Sequence, residues 1–349
     1  MKTGIVGLPG AGKTTIFNAL TSSEAEISAY SGGRKEPNLA IVLVPDHRLD
    51  RLSSIYNPRK TTPAQIQYVD IGGSVSAGEG ANSSMNEILT LLRPVDALVH
   101  VVRNFDRAGE ASDPQSDLKA LESELIFTDL VIAEKRVERL EKEIKKGGRG
   151  DPKELKLLQE ALDILNLEQA LRTVPYIAAS PLLRGYAFLS AKPCIVVLNS
   201  DEDKEPGQTE MDLPPNVVLV ELKGKLEMEL AQLAPDEAEL FRRDLGLKEP
   251  ATFRLIKESY SLLGLISFFT VGEDEVKAWT IRKGTPARKA AATIHSDIEK
   301  GFIRAEVVSC EDLFALGDYA SAQKAGKTRL EGKDYQVQDG DVINFRFNV

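Results

Sequence analysis

KTGIVGLPGAGKTTIFNAL, residues 2–20, is the stretch from which the rest of the chain is read. Within it, Gly7-Leu8-Pro9-Gly10-Ala11-Gly12-Lys13-Thr14 fits G-x-x-x-x-G-K-[ST], the phosphate-binding P-loop. The glycines permit a tight turn that aims backbone N–H groups inward, a nest for phosphate oxygens. Residues 10–15, through Thr15, supply those N–H groups. Lys13 can reach the β- and γ-phosphates, and the Thr14 hydroxyl can ligate Mg²⁺. The flanks fit the motif. Residues 3–6 read as a β-rich strand and residues 15–20 as a helix, whose positive N-terminal end favours an anion. Since the stretch opens at residue 2, no targeting sequence is expected ahead of it, and the two widely separated cysteines fit a chain expected in the reducing cytoplasm.

Composition narrows the class. A chain of 349 residues has room for two or three domains with real cores. With 42% hydrophobic and 28% charged residues it is an ordinary globular composition. No apolar run reaches eighteen residues, so no membrane partner is expected. Cys194 and Cys310 lie far apart without ligand spacing, which argues against a zinc site or a disulfide framework. A net charge of −9 excludes a generally basic nucleic-acid coat, and no DNA partner is expected.

Outward from the P-loop, apolar runs recur at residues 4–6, 39–44, 66–71, 97–102, 194–198 and 217–222. Continuous Ile/Val/Leu runs suggest strands buried on both faces, hence an α/β sheet covered by helices, with ligand groups at the strands' carboxyl ends. The alternation breaks at residues 112–180, where leucines recur at helical spacing among many charges. Gly147-Gly148-Arg149-Gly150 interrupts this segment. Asp151-Pro152-Lys153-Glu154 then supplies an N-cap, a proline at the first helical position and a capping-box glutamate. The pattern predicts an inserted helical hairpin whose first arm, residues 117–146, extends roughly 45 Å at about 1.5 Å per residue. Such an arm is a solvated structural hairpin or a surface for a protein partner. From about residue 277 the texture becomes that of a small α+β module. Strands are expected at 279–281, 302–308, 334–337 and 342–349, with a helix at 286–297. Arg282, Lys283, Arg288, Lys289, Lys324, Lys327 and Arg329 form either a basic face or scattered solvated charge. The expected division is therefore 1–111 and 181–276 for the α/β domain, 112–180 for the insertion and 277–349 for the terminal module.

Two further segments select among P-loop proteins. Ile66-Gln67-Tyr68-Val69-Asp70-Ile71-Gly72-Gly73 is a strand ending in D-x-x-G, where Asp70 can hold Mg²⁺ through water and the Gly73 N–H can sense a γ-phosphate. Asn199-Ser200-Asp201-Glu202 follows the fifth strand in the position of the base-reading N-K-x-D. There the aspartate would accept two hydrogen bonds from guanine. Glu202 is one methylene longer and Ser200 has no aliphatic stem to pack on the base, so adenine becomes admissible. Lys223-Gly224-Lys225 occupies the place of the last base-contacting loop.

With these segments in hand the sequence resembles the YchF, or Obg-like ATPase, family of translation-factor-class P-loop proteins. The resemblance rests on GLPGAGKTT (7–15), EPN (36–38), VPDHRLDRL (44–52), VDIGG (69–73), GEG (78–80), VDALVHVVR (95–103), NSDE (199–202) and AWTIRKGTPARKAAATIHSDIEKGFIRAEVVS (278–309). It implies a G domain, a coiled-coil insertion and a C-terminal β-grasp (TGS) domain. It also implies ATP preferred over GTP, slow hydrolysis and association with ribosomes or ribosomal RNA. Two places depart from the pattern. Residues 32–35, before E-P-N, hold no threonine for Mg²⁺, though Arg34 or Lys35 could bring positive charge to the γ-phosphate. Ser74 stands directly after D-x-x-G, where the family has a hydrophobic residue. The expectation is an ATP-binding switch with Lys13, Asp70 and Gly73 at the chemistry. Gly7, Gly10, Ala11, Gly12, Lys13, Thr14, Thr15, Asn199 and Glu202 would lie on the nucleotide, and Thr14 and Asp70 on Mg²⁺. An ATP-binding module without hydrolysis and an Obg-type GTPase are the alternatives.

Overall fold

A computed structural model of the chain describes residues 1–21, 27–28, 38–71, 88–107, 109–148 and 150–348. They fall into two compact units, Met1–Val42 with Gln67–Leu255, and Leu43–Ile66 with Ile256–Val349. Among the described residues no helix is long and apolar enough to cross a membrane.

The first unit carries a seven-stranded sheet. In chain order its strands are β1 (Lys2–Val6), β2 (Ile27–Ser28) and β3 (Asn38–Leu43). After β4 (Lys60–Thr62), which belongs to the second unit's sheet, come β5 (Gln65–Asp70), β6 (Ala97–Asn104), β7 (Cys194–Ser200) and β8 (Val218–Leu222). The spatial order is β2-β3-β5-β1-β6-β7-β8. All six apolar runs of the sequence thus become strands. β1 lies parallel between β5 and β6, with Ile5 level with Asp70 on one side and Val99 on the other. β6 pairs with β7 so that Arg103 faces Asn199, and Asn199 in turn faces Leu222 of β8. This register brings the loop after β1, the end of β5, the end of β7 and the start of the loop after β8 to one edge of the sheet. β6 and β7 are buried nearly throughout, as strands covered on both faces must be.

The insertion is a helical hairpin. Its first arm runs Pro114–Lys145, 32 residues, about 48 Å long, and starts at Asp113, whose side chain accepts from Ser116 N–H. The second arm, Pro152–Asn166, is capped by Asp151, which accepts from Lys153 N–H at 2.8 Å. Ala133, Leu140, Leu158, Ala161 and Leu165 close the seam between the arms. Glu154 does not complete a capping box. Its carboxylate pairs with Arg136 at 3.2 Å on the opposite arm and accepts from the Tyr186 hydroxyl, because a charge-assisted bond across the seam outcompetes one to its own backbone.

The second unit holds a six-stranded sheet. To β4 it adds β9 (Leu265–Thr270), β10 (Glu275–Arg282), β11 (Phe302–Ser309), β12 (Arg329–Glu331) and β13 (Asp341–Phe347). Their order is β12-β11-β13-β9-β10-β4. Ile266, Phe268, Ile281, Val307, Ile343 and Phe345 pack against Ala287, Ala290 and Ala291 of the helix Ala287–Ile294, where small side chains admit the helix close to the sheet. Helix His47–Tyr56 packs on β10, and its Arg48 joins Asp46 to Asp339 at 2.7 and 2.9 Å. The module begins before residue 277, since β9 is antiparallel to β10 and parallel to β13, and residues 43–66 belong to it. Residues 334–337 do not form the expected strand; only Gln336 makes an isolated bridge, to Pro286. Tyr335 N–H closes a turn on Gly332, and the backbone then pairs with the loop before the helix, Val337 N–H reaching Thr285 C=O at 3.1 Å. Of the seven cations proposed for a basic face, Lys289 pairs with Glu299, Lys327 with Asp312 and Arg329 with Glu331 and Asp341.

Candidate nucleotide-binding site

β1 ends at Val6 and the helix Lys13–Thr21 starts seven residues later, so the loop between them is the strand-to-helix turn that the motif requires. Ala11 N–H bonds to Leu8 C=O at 3.2 Å, tightening the turn. Gly12 sits at φ +89°, and a Cβ there would lie 2.2 Å from Asn199 Nδ2, so both the backbone and the packing demand glycine. Lys13 Nζ donates to the carbonyls of Gly7 and Leu8 at 3.0 and 3.1 Å, folded along the loop. Burial lowers its pKa, with the Asp70 carboxylate opposing.

The register of β1 against β5 carries Asp70 to this loop. Thr14 Oγ1 donates to Asp70 Oδ2 at 3.2 Å. Asp70 is completely buried, and its Oδ1 has no hydrogen-bond partner among the described residues. Burial pushes its carboxyl above the usual range, while the Thr14 hydroxyl and the Lys13 ammonium pull the other way. An orphaned carboxylate oxygen beside a hydroxyl is a donor set that fits a hard divalent cation such as Mg²⁺.

Asn199, only 4% exposed, joins the two ends of the site. Its Nδ2 donates to Ala11 C=O at 3.0 Å, and its Oδ1 accepts from Gly224 N–H at 3.0 Å. The Asn199 side chain therefore ties the P-loop to the turn after β8. Glu202 stands apart on the surface: its carboxylate meets Lys225 Nζ at 3.2 Å, and its carbonyl accepts from Lys223 Nζ at 2.6 Å. The two loops read from sequence as one base-contacting region, 199–202 and 223–225, are thus bonded to each other.

This arrangement belongs to a known group of proteins. Residues 2–142 match the family model MMR_HSR1, described as a 50S ribosome-binding GTPase. Residues 265–348 match YchF-GTPase_C, described as a protein of unknown function (DUF933). The chain is 42% identical to the ribosome-binding ATPase YchF of Bacillus subtilis (strain 168) over 361 aligned residues, covering 99% of each chain. The chain belongs to the YchF family. It is 38% identical to the protein of the same description from Escherichia coli O157:H7, covering 100% of this chain and 99% of that one. The solved structure of the Schizosaccharomyces pombe YchF GTPase superposes with a TM-score of 0.83 at 32% identity, over 99% of this chain and 97% of that one.

Placed on the YchF fold, the sequence-derived residues divide into three groups. Gly7, Gly10, Ala11, Gly12, Lys13, Thr14 and Thr15 form the loop and first helical turn, with Asp70 and Asn199 bonded into it. Glu202 is held by lysines at the rim. Gly73, Ser74, Arg34, Lys35 and the GEG of 78–80 lie outside the described residues. Gly224, read from sequence as part of a base-contacting loop, bonds through its N–H to Asn199. One contributor was missed, Arg107, whose guanidinium lies against Gly10: a Cβ on that glycine would be 1.6 Å from Arg107 Nη1. The only signal for it in the sequence is a cation three residues past a strand that neighbours β1.

Proposed function

We propose that this YchF-family protein binds Mg·ATP and hydrolyses it slowly, acting in the cytoplasm as a nucleotide-dependent switch on the ribosome. One observation carries the nucleotide reading: Lys13, the Thr14 hydroxyl and the buried, half-unpartnered Asp70 carboxylate converge at the loop after β1. The N–H groups of residues 10–15 and the Lys13 ammonium neutralise phosphate charge. Thr14 and Asp70 would hold Mg²⁺, which when bound supplies further charge neutralisation on the phosphates. Gly73 N–H reads the γ-phosphate. Asn199 holds the phosphate loop to the turn after β8, and Glu202 faces the base, where its longer side chain favours adenine over guanine. None of the described residues at the loop is a general base, which fits slow turnover, since phosphoryl transfer rests on positioning and electrostatics. Ribosome association is supported by the relatives of that description.

GTP is the second reading, favoured by the description of the S. pombe protein as a GTPase. Competition between ATP and GTP for the Mg²⁺-loaded protein decides between them, and a clear preference for GTP overturns the assignment of Glu202. Single-turnover hydrolysis with Lys13→Ala as control tests the enzyme. A wild-type rate no higher than the variant's leaves only a binding module. Co-sedimentation with ribosomes in each nucleotide state, at two salt concentrations, tests the switch, and absence from the pellet in every state removes it.

A further inference from the structure

Arg107 lies three residues beyond β6, on a turn whose base is fixed to the first unit at several points. Its backbone N–H bonds to Glu110 C=O at 3.0 Å, and Glu110 N–H returns the bond to Arg107 C=O at 2.9 Å. Arg103, in β6, donates to the carbonyls of Phe105 and Glu110 at 3.4 Å each. Ser112 N–H bonds to Asp106 Oδ1 at 3.1 Å, and Lys204 Nζ holds the Ser112 hydroxyl at 3.2 Å. The turn presents its arginine to the P-loop. The position a Cβ on Gly10 would take is 1.6 Å from Arg107 Nη1 and 2.7 Å from Cζ, so the guanidinium touches the Gly10 backbone itself. Gly10, at φ +81°, is the first residue of the N–H nest for the phosphates. Among the described residues the guanidinium has no carboxylate or carbonyl partner. A cation with no anion among the described residues, seated on an anion-binding loop, has a chemical counterpart in a polyphosphate.

We propose that Arg107 is a catalytic residue of the ATPase: its guanidinium lies on the terminal phosphate of the bound nucleotide and stabilises the charge that builds there during hydrolysis. This rests on the nucleotide reading above. In the step it assists, the water oxygen bonds to Pγ and the bond from Pγ to the β,γ-bridging oxygen breaks. That electron pair leaves on ADP, and the water's proton passes to the released phosphate. Arg107 neither gives nor takes a proton. Its planar fork can bind two phosphate oxygens at once, which a lysine cannot, and a cation of this kind supplied within the chain is an established device of phosphoryl transfer.

The test uses the full-length protein as wild type, Arg107→Ala, Arg107→Lys and Lys13→Ala. Affinities are measured for ADP and for a non-hydrolysable ATP analogue with Mg²⁺, alongside trapping of ADP by aluminium fluoride and single-turnover hydrolysis. Arg107→Ala is expected to weaken the ATP analogue roughly tenfold while leaving ADP unchanged. It should also lose the aluminium fluoride complex and slow hydrolysis by about 10²-fold, with Arg107→Lys between it and wild type. An ATP-analogue to ADP ratio equal to the wild type's overturns the proposal. So does tighter ATP-analogue binding by Arg107→Ala, which would make Arg107 a plug on the empty loop. If the wild type hydrolyses nothing, the ATPase reading and the catalytic role fall together. If it binds no nucleotide, both are likewise overturned. If it hydrolyses ATP and Arg107→Ala does so equally well, only Arg107 is removed.

Discussion

Replacing Asn199 by alanine separates a structural tie from a base reader. The side chain is buried and uses both amide atoms, donating to Ala11 C=O and accepting from Gly224 N–H, each at 3.0 Å. Alanine deletes both bonds and leaves a buried carbonyl and a buried N–H to find water or go unpaired. At a net 1–1.5 kcal/mol for each bond, the first unit should lose about 2–3 kcal/mol. For a unit of this size that is a fall in melting temperature of roughly 5–10 °C. Asn199→Asp is the sharper control. It keeps an acceptor for Gly224 but sets a carboxylate oxygen against the Ala11 carbonyl, so it should melt no higher than the alanine variant. Differential scanning calorimetry of the nucleotide-free protein reads this effect without any contribution from the base. ATP affinity, measured separately, should fall because the loop carrying the N–H nest has lost its anchor. An alanine variant melting within about 2 °C of wild type would refute the reasoning and return Asn199 to the role of a simple base contact.

Three other outcomes are expected. Burial holds the Asp70 carboxyl above its ordinary range; a carboxyl raised on folding costs stability as pH rises through that range, because the folded state then holds the extra proton. Asp70→Asn should therefore melt higher than wild type at neutral pH without metal or nucleotide, while Mg²⁺ no longer strengthens ATP binding; a lower melting temperature contradicts the unpaired charge. Burial would raise the Glu122 carboxyl, but His100 and Arg172 outweigh it and hold it at about 2, against an ordinary 4.5. That stabilisation is complete above pH 4.5 and lost as pH falls toward 2, about 3 kcal/mol in all. Glu122→Gln should flatten the acid limb of the stability curve, and an unchanged limb would place the acid-sensitive group elsewhere. Finally, Ser200→Lys with Glu202→Asp rebuilds N-K-x-D and should shift the ATP to GTP affinity ratio toward GTP by roughly 10- to 100-fold, measured by competition; no shift would mean that this segment does not read the base.

Much of the first unit was legible because its signals are local. A β-branched run, a glycine loop and a helix start in sequence produce a P-loop in any α/β context, and each continuous apolar run has few alternatives to a buried strand. The hairpin was equally plain, since Asp151 and Pro152 stop and restart a helix by short-range chemistry. The failures are long-range. Leu265–Thr270 falls within the 181–276 expected for the α/β domain, yet it joins β10 and β13, because its partner strands come later in the chain. Residues 334–337 have strand composition but are claimed by the loop before a helix. Glu154 sits in a capping-box position, and only the arrival of Arg136 and Tyr186 from elsewhere redirects it.

By itself the sequence determined that residues 7–14 form a P-loop between a strand and a helix, that Asp70 and Asn199 stand at strand ends, and that a helical hairpin interrupts the domain. Backbone geometry and side-chain chemistry decide those within a dozen residues. Tertiary structure alone decided what stands around that loop. Strand register set the Asp70 carboxylate on the Thr14 hydroxyl, Asn199 locked the P-loop to Gly224, and a clamped turn laid Arg107 on Gly10. Those contacts join residues 56, 188 and 97 positions apart. Only the pairing of strands in a sheet, which no local pattern encodes, brings them within bonding distance.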